Sequence, residues 1–165
     1  MKHFLAVLML VSGLYSSQAQ EMNPEQLIKI ITQAVDSSVS SVNSVEFVYK
    51  KTPQVCIYDE NANRMRIISP IIKREELEEE QLLNALVANF HSALDVKYAL
   101  SDEIIWAVFT HPLKELSRHQ ILDAINQVYS ANITFGSTYS STNLIFPGNT
   151  KKREEPRRKK IIQRL

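Results

Sequence analysis

The sequence predicts an α+β fold: an antiparallel five-stranded sheet with helices packed on one face, in the order α-β-β-β-α-β-β-α. Two observations carry that prediction. Segments of strand-like alternation come in a block of three and a block of two, joined by short turn sequences that suit hairpins rather than parallel crossovers. Three other segments repeat apolar residues at spacings of three and four, the period of a helix with one buried side. The composition agrees, since 165 residues with 44% hydrophobic and 22% charged side chains suit one folded domain with a sizeable core.

The first helix opens at Asn23-Pro24-Glu25-Gln26, where Asn caps, Pro tolerates the first helical position and Gln26 completes a capping box. Leu27, Ile28, Ile31, Ala34 and Val35 then predict a helix to about Ser37. The serine-rich run from Ser37 to Ser44 competes with helical hydrogen bonding and reads as a connector. Val45, Phe47 and Tyr49 alternate with Glu46, Val48 and Lys50, giving a first strand. Gln54 to Tyr58 follows as a second strand, and turn chemistry at Asp59–Asn63 leads to a third at Arg64–Ser69, which Pro70 is expected to end.

A second helix is expected over Arg74–Asp95, with glutamates in its early turns and Leu83, Leu86, Val87, Phe90 and Leu94 on a side that must rest on something. Val96–Leu100 and Ile104–Thr110 then make a hairpin around Ser101-Asp102-Glu103. Ser117 and Gln120 form a capping box, with Leu116 and Ile121 as its hydrophobic staple. That third helix runs to about Asn132, and the sequence from Gly136 reads as loop.

The chain begins with Met1-Lys2-His3, an apolar run from Phe4 to Leu14 and a polar stretch with small residues at Ser17 and Ala19. This is the layout of a secretory leader, too short to span a bilayer, with cleavage expected after Ala19. Residues 1–19 are thus read as signal peptide, 20–135 as the domain, 136–150 as loop and 151–165 as a basic tail. The protein is expected in the periplasm or secreted. Cys56 is the sole cysteine, so no internal disulfide can form, and in a strand it reads as a small hydrophobe. Of three glycines one lies in the leader, which leaves too few for phosphate-cradling loops, dinucleotide fingerprints or nucleophile elbows.

Charge is divided unevenly. From residue 151 on, eight cations against two carboxylates give +6, while residues 20–150 carry −6. The tail, with Lys151, Lys152, Arg153, Arg157, Arg158, Lys159 and Lys160, has too few apolar residues to order itself. It reads first as a solvated end or one that folds back on the acidic body, and second as a contact for an anionic membrane surface. No nucleic acid partner is expected of an exported protein.

The element order, together with Arg66-Ile67-Ile68-Ser69-Pro70, Glu80-Gln81-Leu82-Leu83-Asn84, Asn89-Phe90 and Leu116-Ser117-Arg118-His119-Gln120-Ile121, resembles the type III secretion chaperone-like fold. Within it, the resemblance is to the YbjN-like family of sensory transduction regulators, over roughly residues 23–135. These are packing and capping motifs. The resemblance implies a small, commonly homodimeric domain that binds protein, without catalytic residues or cofactor. The related secretion chaperones are acidic cytoplasmic dimers that hold extended polypeptide on apolar patches, and the leader departs from that pattern.

The last strand is apolar on both sides, so one set must meet something other than the helices. With the larger Ile104, Trp106 and Val108 assigned to the helices, Val48, Tyr58, Ile68, Ile105 and Phe109 form the expected outward patch for a protein or peptide partner. A one-residue slip exchanges the two sets. The rival is an exported enzyme in which His91, His111 or His119 converges with carboxylates in space, and a further reading is a membrane-surface adaptor acting through the tail. No paired histidine motif with metal-ligand spacing occurs, so no metal is expected. Asn132-Ile133-Thr134 matches a glycosylation sequon.

Overall fold

The computed structural model describes residues 21–142, so the leader and the basic tail lie outside the described residues. The elements are α1 (Pro24–Ala34), β1 (Ser37–Ser40), β2 (Ser44–Tyr49), β3 (Thr52–Asp59), β4 (Arg64–Lys73), a 3₁₀ turn (Arg74–Glu76), α2 (Glu79–His91), β5 (Val96–Ser101), β6 (Ile104–His111) and α3 (Arg118–Thr134). The sheet is antiparallel, but it has six strands rather than five, in the order β1-β2-β3-β4-β6-β5. The added strand is the serine run. Ser37–Ser40 pairs with Val45–Val48 along the sheet edge, where backbone pairing outweighs the weak strand preference of serine.

Local sequence explains the helix starts. Asn23 Oδ1 accepts from the Gln26 amide at 2.9 Å, and Ser117 Oγ accepts from the Gln120 amide at 3.2 Å while the Gln120 side chain returns to the Ser117 amide. The second helix is shorter than its spacing predicts. Pro70 does not end β4; it sits at a register shift, where a strand tolerates a residue with no amide to donate, and pairing continues to Lys73. Glu78 then caps α2 in a capping box with Gln81, which fixes its start at Glu79. The β2–β3 and β5–β6 hairpins turn through Lys50-Lys51 and Asp102-Glu103, four left-handed residues of which none is glycine.

All three helices cover one side of the sheet. Val45, Phe47, Cys56, Tyr58, Met65, Ile67, Val96, Tyr98, Ala107 and Phe109 pack there against Leu27, Ile31, Ile121, Ile125 and Val128. Cys56 is fully buried, and burial pushes its thiol up to about 12. Gln54 Nε2 donates to the Ile125 carbonyl at 3.1 Å while its Oε1 is buried without a partner, and the Tyr98 hydroxyl donates to the Ala131 carbonyl at 3.0 Å. Beyond α3, Tyr139 is buried against Tyr98 and Phe135, tying residues 136–142 to the helical side.

Candidate functional site

The opposite side of the sheet carries no described element, and its side chains are the site. Strand register sets one row across all six strands: Val39, Glu46, Val55, Ile68, Val108 and Lys97. Flanking rows add Val48 beside Pro53, Pro70 beside Trp106 and Ala99, and Ile57 beside Arg66 and Thr110. The centre, Val55, Ile68 and Val108, is therefore apolar, with Glu46 towards the β1 edge and Lys97 on the β5 edge. Val55, Ile68 and Val108 are half-buried, Glu46 and Lys97 are exposed, and Val39 and Ile57 stand 69% and 43% exposed. Trp106, the single tryptophan, lies on this side and donates its indole N–H to the Ser101 carbonyl at 3.2 Å. At one end a hollow of about 390 Å³ opens between Ile57, Asp59, Arg64, Arg66 and Thr110. Such a surface offers apolar contact over a flat area with charge at its rim, which suits polypeptide better than a small polar ligand.

The expected patch is split between the two sides. Val48 and Ile68 belong to the open side, but Tyr58, Ile105 and Phe109 lie beneath the helices with 6%, 2% and 6% exposure. Ile104, Trp106 and Val108 take the open positions instead. α3 lies over β4 and β6, and the side of β6 that meets it carries Ile105, the small Ala107 and Phe109, so side-chain size does not decide which set is covered. A signal for the correct parity exists in β2. Glu46 marks the outer side, and the two-residue turn at Lys50-Lys51 places Val45 opposite Cys56, which puts Tyr58 with the core. The tail residues Lys151, Lys152, Arg153, Arg157, Arg158, Lys159 and Lys160 lie outside the described residues.

Two histidines share hollows with carboxylates. His91, Asp95 and Asp123 line a hollow of about 460 Å³, and His111 lines an adjoining one of about 280 Å³ that shares the same two aspartates. Gln127 Nε2 donates to Asp95 at 3.2 Å and to Asp123 at 2.7 Å, so both carboxylates are held by one amide. His111 Nδ1 lies 2.8 Å from the Pro112 carbonyl and its ring stacks on Phe109, while His91 Nδ1 is buried without a hydrogen-bond partner. His119 is exposed in the first turn of α3. Among the described residues no group of three His, Cys, Asp or Glu side chains is placed to hold a metal ion. The Asn132 amide of the sequon donates at 2.8 Å to both Ser69 Oγ and the Pro70 carbonyl, which commits it to bridging α3 and β4.

No protein-family model matches the chain, and no curated protein does. Among solved structures, a chain of the HopA1–SchA chaperone–effector complex shares this fold at a TM-score of 0.54 and 11% identity, covering 67% of this chain and 91% of that one. The two share a fold: a mixed α+β domain with helices on one side of an antiparallel sheet.

Proposed function

We propose that this is an exported, non-catalytic binding domain, related to the YbjN-like regulators, that holds an extended segment of a protein partner on the open side of its sheet. The observation that carries the reading is the uncovered Val55–Ile68–Val108 row with Trp106 beside it. Apolar surface of this kind is stabilised when removed from water, at about 25 cal/mol per Å², and the described chain supplies nothing to do so. The chaperone–effector neighbour supports a protein as occupant, and the leader supports export. A homodimer is the other way to cover the same row.

Trp106 makes the proposal measurable, because its emission reports on this side alone. Titration with a reduced, carboxymethylated, permanently unfolded protein is expected to shift that emission to the blue, and Val108→Asp to weaken the binding at least about tenfold, as a buried unpaired charge demands. Unchanged emission, or equal binding by Val108→Asp, would overturn the reading. A blue shift that grows with concentration of the chain alone assigns the surface to a second copy instead.

A further inference from the structure

The open side of the sheet differs in charge from the rest of the molecule. Its strand residues include four cations, Arg64, Arg66, Lys73 and Lys97, against two carboxylates, Glu46 and Asp59, which leaves +2 on a body that carries −6. The four are not equally engaged. Lys73 pairs with Glu75 at 3.5 Å, and Lys97 Nζ donates to the carbonyls of Asn89, at 2.9 Å, and Leu94. Arg64 donates one N–H to the adjacent Asn63 carbonyl at 2.9 Å, whereas the Arg66 guanidinium has no hydrogen bond or ion pair among the described residues. Asp59 does not neutralise them: it accepts from the Ala62 amide at 2.8 Å and forms no ion pair with either arginine.

Both arginines line the hollow of about 390 Å³ together with Ile57, Asp59 and Thr110. Side chains two apart on a strand share a side and lie about 7 Å apart. Along β4 the open side therefore reads Pro70, Ile68, Arg66, and β6 beside it reads Trp106, Val108, Thr110. The surface is apolar, apolar and then cationic at equal steps, and an extended polypeptide repeats its own side chains at that same step. A segment lying along β4, with alternate apolar residues over Pro70–Trp106 and Ile68–Val108, brings its next alternate residue over Arg66. There a forked, weakly hydrated guanidinium suits a carboxylate through two parallel hydrogen bonds, while Ile57 offers an apolar wall.

We infer that the occupant of the open side is an acidic extended segment, with apolar residues at two successive alternate positions and an aspartate or glutamate at the third, whose carboxylate seats in the Arg64–Arg66 hollow. This rests on the binding reading above and adds to it the charge and spacing of the partner. The apolar rows running away from the arginines favour such a segment over an anionic bilayer, which would meet only these two cations.

Three capped, tryptophan-free peptides test this, read by the blue shift of Trp106 emission in the full chain. Each carries valine at two alternate positions, threonine between, and glutamate, glutamine or lysine at the third alternate position. The glutamate peptide is expected to bind at least about fivefold more tightly than the glutamine peptide at about 0.01 M salt, with the lysine peptide weakest. The differences should shrink towards about 1 M salt, as the Debye length contracts from about 30 to about 3 Å. Arg66→Gln, at an exposed position, should remove the preference for glutamate and leave the glutamine peptide unaffected, whereas Val108→Asp should weaken both. Equal affinities for the glutamate and glutamine peptides would overturn this inference and leave the binding reading standing. No blue shift with any peptide would overturn it too, and the titration with unfolded protein then decides separately whether the binding reading falls. A shift given by phosphatidylserine vesicles, absent with phosphatidylcholine ones and lost in Arg66→Gln, would assign the arginines to a membrane instead.

Discussion

Helices α2 and α3 both open with a capping box and both carry an apolar stripe, yet they use it in opposite ways. Of its 17 residues α3 buries Ile121, Ala124, Ile125, Gln127, Val128 and Ala131, whereas α2 buries only Ala85 and Ala88 of 13. What secures α2 is polar: Asn89 donates to the Tyr98 carbonyl at 3.0 Å and accepts from the Tyr98 amide at 2.7 Å, acting as a short stand-in for the strand that β5 lacks on that edge. The contrast teaches that a helical stripe declares a need for cover without declaring which surface supplies it. Alanine brings a helix close to a sheet edge and leaves its larger side chains for something outside.

Substitutions can break that contrast in graded steps. Ile125→Ala, within the α3 stripe, is expected to cost about 2–5 kcal/mol in denaturant unfolding. Asn89→Ala comes next at about 1–3 kcal/mol, because it strands the Tyr98 amide and carbonyl, and amide exchange should rise in α2 and β5 before it does in α3. Ser117→Ala removes one side-chain cap from α3 and should lower stability by about 1 kcal/mol, read from the same midpoint. Leu86→Ser is the smallest, within about 0.5 kcal/mol if the stripe is bare. A loss of more than about 1.5 kcal/mol from Leu86→Ser would mean that something beyond the described residues covers the outer side of α2, which a bare helix forbids.

Much of the element order is legible in the sequence because caps and alternation are local: Asn23, Ser117 with Gln120, and the Val45–Phe47 alternation each act within a few residues. What escapes is decided across the sheet. Ser37–Ser40 becomes a strand only because β2 offers an edge, and Pro70 is passed over only because a bulge accommodates it against β6. The site is half legible for the same reason. That β6 has a second apolar side can be read from Ile104 to Phe109, but which side faces the helices depends on pairing with β4 and packing against α3, which no single strand encodes.

Cys56 sits at the centre of β3, out of reach of solvent, with its thiol held in the protonated state. In an oxidising compartment a chain with one sulfhydryl usually risks being coupled to its neighbours. Here such coupling requires the sheet to open first, so any disulfide-linked pair of chains is a record of past unfolding, and the rate at which an alkylating reagent consumes the thiol times how often the native state lets go.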